Sequence, residues 1–256
     1  MRVQIHSALV GPVLLAAVLA GLAACSTVRL GQHPYSSMLA AGNENGEVRY
    51  LLYLPDTYGK DRSVKWPLIL FLHGRGECGK NLELLKKHPL PKTLESRTDF
   101  PFIVVSPQLL NGSSGWDNQL ELLNSLLLQV QARYSVDPAR VFVTGISMGG
   151  AGTWQMALRY PRRFAAIVPI AGFSSWGSRE VPPRICDLRD LPIWVFHGAR
   201  DSSVQLYQEQ ILVDALRACG SKVQFTVYED AGHEDTWRKT YADPALFEWM
   251  LAQTLK

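Results

Sequence analysis

The stretch Gly145-Ile146-Ser147-Met148-Gly149 carries the clearest chemical potential in this chain. It follows the strand-like run Val141-Phe142-Val143-Thr144 and precedes a helical stretch that reaches Tyr160. Two glycines around a serine allow a tight, strained turn that pushes the hydroxyl outward. The helix behind it aims its first amides and its positive dipole end at the same spot. A serine hydroxyl is a poor nucleophile near neutral pH, so it needs a base within hydrogen-bond reach and an acid that orients that base. His233, in Ala231-Gly232-His233-Glu234 just after the last strand-like run, is the candidate base. His197, at a strand end in His197-Gly198, competes for that role but reads as a structural hydrogen-bonding turn. For the acid, Asp201 follows the run Ile193–Phe196 through His197-Gly198-Ala199-Arg200. Glu229 and Asp230 lie too close to His233 in sequence to occupy a separate loop, and Asp190 precedes its strand. An oxyanion would need donors as well. The backbone amide of Met148 is one candidate. The other is the amide of Arg75, in the loop His73-Gly74-Arg75-Gly76-Glu77, where glycine lets the backbone turn toward the serine.

Positioning such groups calls for a rigid scaffold, and the chain alternates strands with helices. Strand-like runs fall at Val48–Leu54, Pro67–Leu72, Phe102–Ser106, Val141–Thr144, Ala165–Ala171, Ile193–Phe196 and Val223–Tyr228. Several are apolar throughout, which suits parallel strands covered on both faces. Leu120, Leu123, Leu127, Val130 and Tyr134 follow the spacing of one helix face, and so do Val204, Tyr207, Ile211, Ala215 and Leu216, with Gly220 beyond as a stop. A last helix starts at Asp243-Pro244, a cap followed by proline in the first turn. The pattern predicts an α/β fold with a mostly parallel central sheet and helices on both faces. The segment from Ala171 to Ile193 holds Trp176, Pro182, Pro183 and Arg184 but no helical pattern long enough for a lid domain.

Composition narrows the function. With 256 residues, 47% of them hydrophobic, the chain has ample material for a packed core and is not a disordered polymer. A net charge of +3, from 26 Lys+Arg against 23 Asp+Glu, is too small for a strong basic field, which argues against a nucleic-acid partner. No Rossmann or P-loop glycine pattern and no His/Glu metal motif occurs, so neither a cofactor nor a metal is expected.

The amino terminus reads as an export signal. Arg2 is the only charged residue before Arg29, and an apolar run from Ala8 to Ala20 has the length of a signal-peptide core. It ends in Leu22-Ala23-Ala24-Cys25, which resembles the lipobox of bacterial lipoproteins. That resemblance implies cleavage after residue 24, acylation of Cys25 and, with Ser26 next, export to an outer membrane. The predicted organisation is a signal peptide over 1–24, a lipidated tether and first loop over 25–46, and one catalytic domain over 47–256, without internal repeat or linker. Beyond Cys25, the cysteines Cys78, Cys186 and Cys219 could form at most one disulfide. The sequence does not choose it, and packed thiols are expected.

Together these residues resemble the compact esterases and peptidases of the α/β-hydrolase superfamily, relatives of dienelactone hydrolases, feruloyl esterases, polyhydroxyalkanoate depolymerases and prolyl-oligopeptidase catalytic domains. The resemblance covers roughly Tyr50 to Trp237. Its strongest stretch runs from Asp137-Pro138-Ala139-Arg140-Val141 through Ser147 to Trp154, then Pro161 and Phe164–Pro169. It implies a chain order of nucleophile, acid, base, met by Ser147, Asp201 and His233. It also implies that Gly74 and Trp116, the latter in Gly115-Trp116-Asp117, border the substrate pocket, Trp116 serving equally well as a core residue. The family usually has a small residue where Arg75 stands, so a cation could lie beside the site. The function implied is a membrane-tethered serine hydrolase that cleaves small or polymer-derived carboxylic esters through an acyl-enzyme. A serine peptidase acting on short peptides would use the same machinery, and a lipoprotein that keeps the fold only to bind would not need all three residues.

Overall fold

The computed structural model describes residues 28–41, 44–112, 115–174 and 179–255. An eight-stranded sheet runs through it in the order β1-β2-β4-β3-β5-β6-β7-β8. The strands are β1 (Gly31–Ala41), β2 (Glu44–Leu54), β3 (Trp66–Leu72), β4 (Ile103–Gln108), β5 (Val136–Ile146), β6 (Ala166–Ile170), β7 (Trp194–Gly198) and β8 (Gln224–Tyr228). From β4 to β8 all neighbours are parallel. β2 is antiparallel to β4, and β1 is antiparallel to β2.

The continuous apolar runs are explained by burial on both faces. In β3, Leu68, Leu70 and Leu72 join one core cluster while Ile69 and Phe71 join another, because successive side chains of a strand point to opposite faces. The first cluster is covered by α1 (Leu120–Arg133), α2 (Met148–Arg159) and α3 (Tyr207–Ala218). The second is covered by α4 (His233–Ala242) and α5 (Pro244–Leu251). Asp243 caps α5 by accepting a hydrogen bond from the Ala245 amide at 2.9 Å, as the Asp-Pro pair predicts. Among the described residues between β6 and β7 there is only one short 3-10 turn, Ile185–Leu188, so no large lid covers the sheet.

Three points of the sequence reading need correction or completion. Residues 31–41, expected to belong to a tether and first loop, form β1, paired with β2 along its whole length. An edge strand is held by its hydrogen bonds more than by apolar side chains, and it tolerates proline, here Pro34. Met38 is 73% exposed, so the alternation that would have betrayed a strand is weak. The catalytic unit therefore begins before residue 47. His233, expected just after the last strand, is the first residue of α4, a helix for which no sequence expectation was made. That helix buries only Thr236, Trp237, Thr240 and Tyr241, a stripe too thin and too polar to register as periodicity. Finally, Cys186 and Cys219 form a disulfide rather than two packed thiols, which leaves Cys78 as a free thiol. It ties the 3-10 turn to the end of α3, and a loop of 33 residues closed in this way stabilises the fold by roughly 3–4 kcal/mol.

Candidate active site

The parallel strands all end on one edge of the sheet, and the chain places its reactive groups there. β5 ends at Ile146 and the backbone turns sharply at Ser147, with φ 54° and ψ −116°, before α2 begins at Met148. A non-glycine residue in that region stores about 1–3 kcal/mol, held in place by the surrounding packing. The turn closes only because Gly149 has no side chain: a Cβ there would overlap the carbonyl oxygen of Leu72 at the end of β3. The Ser147 amide donates to the Ile170 carbonyl at 2.9 Å, which pins the turn to β6.

Asp201 sits in the turn after β7, and His233 follows β8. The two turns are drawn together at Gly198, where a Cβ would strike the Ala231 carbonyl, and by the Arg200 amide donating to that same carbonyl at 3.0 Å. The result is a connected array. His233 Nδ1 lies 2.6 Å from Asp201 Oδ2, and His233 Nε2 lies 2.9 Å from Ser147 Oγ. A carboxylate only accepts, so Nδ1 carries the proton and Nε2 presents its lone pair to the serine hydroxyl. The Asp201 side chain is fully buried, whereas that of His233 is 19% exposed. Asp201 is held by the amides of Ser203 and Val204, both donating to Oδ1 at 2.9 Å. Trp237, one turn along α4, meets the His233 ring edge-on at 4.8 Å.

His197, the alternative base, is fully buried and belongs to a second layer. Its Nε2–H donates to the Val204 carbonyl at 2.8 Å and its Nδ1 lies 2.7 Å from Glu209 Oε2, on α3. Its Nε2 is also 3.5 Å from Asp201 Oδ2, so it backs the acid without reaching the serine. Burial opposes charge on this ring, but the Glu209 carboxylate and the Val204 carbonyl outweigh it and raise the His197 pKa. Sequence reasoning placed His197 in a hydrogen-bonding turn and missed Glu209. Glu209 lies on a helix whose polar face gave no sign that one of its members is buried.

The loop after β3 forms the opposite wall. Gly74 is buried, and a Cβ there would lie 3.7 Å from Ser147 Cβ, which brings the backbone at Gly74 and Arg75 beside the serine. Arg75 opens a short 3-10 turn, Arg75–Glu77, with its side chain exposed. Met148 opens α2. Met148, directly after the serine, and Arg75, directly after Gly74, thus bring their backbones beside Ser147. Trp116 is 1% exposed, its indole N–H donates to the His73 carbonyl at 3.2 Å, and Gly152 on α2 makes room for its ring, while its outer edge lines a groove with Leu109, Leu110 and Leu122. It supports the 73–77 loop from beneath, the core alternative for this residue. Glu77, buried in the same loop, pairs with His88 Nε2 at 3.3 Å. Burial pushes its pKa up, but the His88 contacts prevail and leave it lowered.

His73 fixes the start of that loop and makes the site sensitive to acid. Its Nε2 accepts from the Leu109 amide at 3.0 Å, so the ring proton must reside on Nδ1, which lies 2.5 Å from the Gly74 carbonyl. A second proton would set one N–H against another. Burial, the largest influence, lowers the pKa from 6.5 to about 4. The unfolded chain takes up this proton near 6.5 and the folded chain only near 4. The stabilisation by neutral His73 is therefore complete above the unfolded value and is lost as the pH falls toward the folded one. The loss is about 3 kcal/mol. Urea unfolding between pH 7 and pH 4 measures it, and His73→Asn should start lower but decline less steeply. An equal decline in both would assign the acid sensitivity to other groups.

Comparison with known proteins agrees with this geometry. The chain is 29% identical over 147 residues to the bifunctional acetylxylan esterase/xylanase XynS20E of Neocallimastix patriciarum, a stretch that covers 56% of this chain and 20% of that protein. The structure resembles that of a thermostable esterase, with a TM-score of 0.71 and 27% identity, covering 86% of this chain and 63% of the other. It shares its fold with an acylaminoacyl peptidase at a TM-score of 0.63 and 16% identity, covering 88% of this chain and 42% of that one. The chain thus spans less than two thirds of each of these relatives. The phospholipase/carboxylesterase family profile matches residues 91–241, more than half of the chain and a span that contains Ser147, Asp201 and His233. This chain belongs to the phospholipase/carboxylesterase family and has the α/β-hydrolase fold.

Proposed function

We propose that this chain is a serine hydrolase of carboxylic esters. The observation that carries the reading is the continuous array Ser147 Oγ, His233 Nε2, His233 Nδ1 and Asp201 Oδ2, with separations of 2.9 and 2.6 Å, at a partly open edge of the sheet. Ser147 Oγ attacks the ester carbonyl carbon while its proton passes to His233 Nε2. The carbonyl electron pair moves onto oxygen, where the backbone amides of Met148 and Arg75 receive it. The tetrahedral species collapses, the C–O bond to the alcohol breaks, and the leaving alkoxide takes the proton from His233. Water then repeats the sequence on the acyl-enzyme, giving its proton to His233 and releasing the acid and Ser147. Asp201 keeps His233 in the required tautomer and stabilises the imidazolium.

An ester is favoured over a peptide bond because the acetylxylan esterase/xylanase and the thermostable esterase share 29% and 27% of residues with this chain, whereas the acylaminoacyl peptidase, at 16%, shares the fold alone. A fluorophosphonate probe should label Ser147, which separates an enzyme from a binding protein. A panel of aryl esters and aminoacyl peptides then separates the two chemistries: turnover of the esters with no cleavage of the peptides is expected, and the reverse would establish the peptidase.

Export and lipid anchoring through Cys25 form part of the same proposal. Residues 1–27 lie outside the described residues, and the support is the Leu22-Ala23-Ala24-Cys25 sequence after an apolar run. Among the described residues no helix is long and apolar enough to cross a membrane. Mass spectrometry of the mature amino terminus tests the assignment, with acyl chains on residue 25 as the expected result.

A further inference from the structure

The reactive array and the start of the described chain lie at opposite ends of the sheet. Ser147, Asp201, His233 and the Gly74–Arg75 backbone all follow the carboxyl ends of parallel strands. Gly31 pairs with Leu54, and β2 is antiparallel to β4, so Gly31 lies level with the amino ends of those strands. The loop between β2 and β3, residues 55–65, lies at the same end. β3 alone separates Trp66 from the Gly74 loop by about 20 Å.

That far end has an uneven surface. Val28, Leu30 and Val64 are 53%, 42% and 39% exposed, among the few large apolar side chains left in water. With Tyr58 and Trp66 they line a shared groove of about 480 Å³. Four exposed cations stand beside them: Arg29, Lys60, Arg62 and Lys65. Two exposed acids share the loop, Asp56 and Asp61, so the cations outnumber them two to one; Asp61, which lines the groove, accepts from the Ser63 amide at 2.8 Å and from its hydroxyl at 2.7 Å. Apolar side chains ringed by lysine and arginine, with a Tyr and a Trp among them, form the pattern that settles at the interface of an anionic bilayer.

We infer that this end of the molecule docks on an anionic phospholipid surface and holds Ser147 on the side facing away from it. The inference rests on the proposed acylation of Cys25. Three Cα–Cα steps lead from Cys25 to Val28, a covalent reach of roughly 10 Å, so acyl chains on residue 25 bring the membrane to the end of the sheet where Val28 and Leu30 lie. The cations then face the lipid phosphates and the apolar side chains enter the headgroup region. The reactive edge opens to water, more than 20 Å above the lipid. The substrate class follows: esters arriving from the aqueous side, dissolved or borne on a polymer, and not the phospholipids of the bilayer that carries the protein.

The test uses the full chain, processed in a bacterium and reconstituted into vesicles of phosphatidylcholine with about a third phosphatidylglycerol. Hydrogen exchange is compared with that of the Cys25→Ser chain in solution. Slower exchange is expected in residues 28–30 and 58–65, with none in 73–78 or 229–235. Ester turnover in solution should be equal in the two forms, and no lysophospholipid should appear in the vesicles. Lys60→Glu with Arg62→Glu should cancel the protection of 58–65 while leaving turnover unchanged. Protection of 73–78, or hydrolysis of the carrying lipid, would overturn the orientation. Absence of acyl chains on residue 25 would instead remove the anchoring reading. The surface is then judged by pelleting the unacylated chain with the same vesicles, and failure to bind overturns it.

Discussion

Ser147→Ala is expected to lower ester turnover about a millionfold while the protein stays folded, the scale on which serine hydrolases lose rate when the nucleophile is removed. Alanine keeps the Cβ that the elbow already accommodates and removes only the oxygen 2.9 Å from His233 Nε2. The unfolding midpoint in urea should therefore stay close to that of the parent, because the turn is held by Gly149, the Ile170 carbonyl and the packed start of α2. Steady-state turnover of a short aryl ester, measured with the denaturation curve of the same preparation, checks both halves. A folded alanine variant with more than a few percent of the parent rate would sink the assignment of Ser147.

His233→Ala is expected to cost nearly as much, and the double variant Ser147→Ala with His233→Ala no more than either alone. The nucleophile and its base act as one unit, so removing the second after the first has little left to take. Two independent millionfold losses would instead multiply. His233 is the base that accepts the serine proton, its Nε2 lying 2.9 Å from Ser147 Oγ. His197 is excluded from that role by position, since its two nitrogens face Glu209 and Val204. Structural damage should be modest: His233 opens α4, and the helix is anchored by Trp237 and Tyr241, which are buried in the core cluster of that face.

What could be read without coordinates was whatever depends on residues near one another in the chain. The strand-turn-helix around Ser147 is local: β-branched residues, then a glycine-flanked serine, then helix formers. The parallel sheet was legible because burial on both faces leaves continuous apolar runs such as Leu68–Leu72. The chain order of serine, acid and base could be assigned because each candidate follows a recognisable strand. Helices with a broad apolar stripe, α1 and α3, were equally visible.

The tertiary structure decided what depends on partners remote in sequence. β1 exists because β2 offers it a full row of hydrogen bonds, which its own alternation of side chains hardly announces. α4 exists because Trp237 and Tyr241 find a place in the core, although most of its surface is polar. The Cys186–Cys219 disulfide required knowing that the end of α3 lies over the 185–188 turn. Trp116 became a support beneath the oxyanion loop only once Gly152 and the His73 carbonyl were found around it. Glu209 joined the second layer only when α3 packed it against His197. The residue types of the site are a property of the chain, because strand, turn and helix signals are short-ranged. The 2.6 and 2.9 Å separations that link three side chains into one proton path belong to the packed sheet, which brings the turns after β5, β7 and β8 to a common edge.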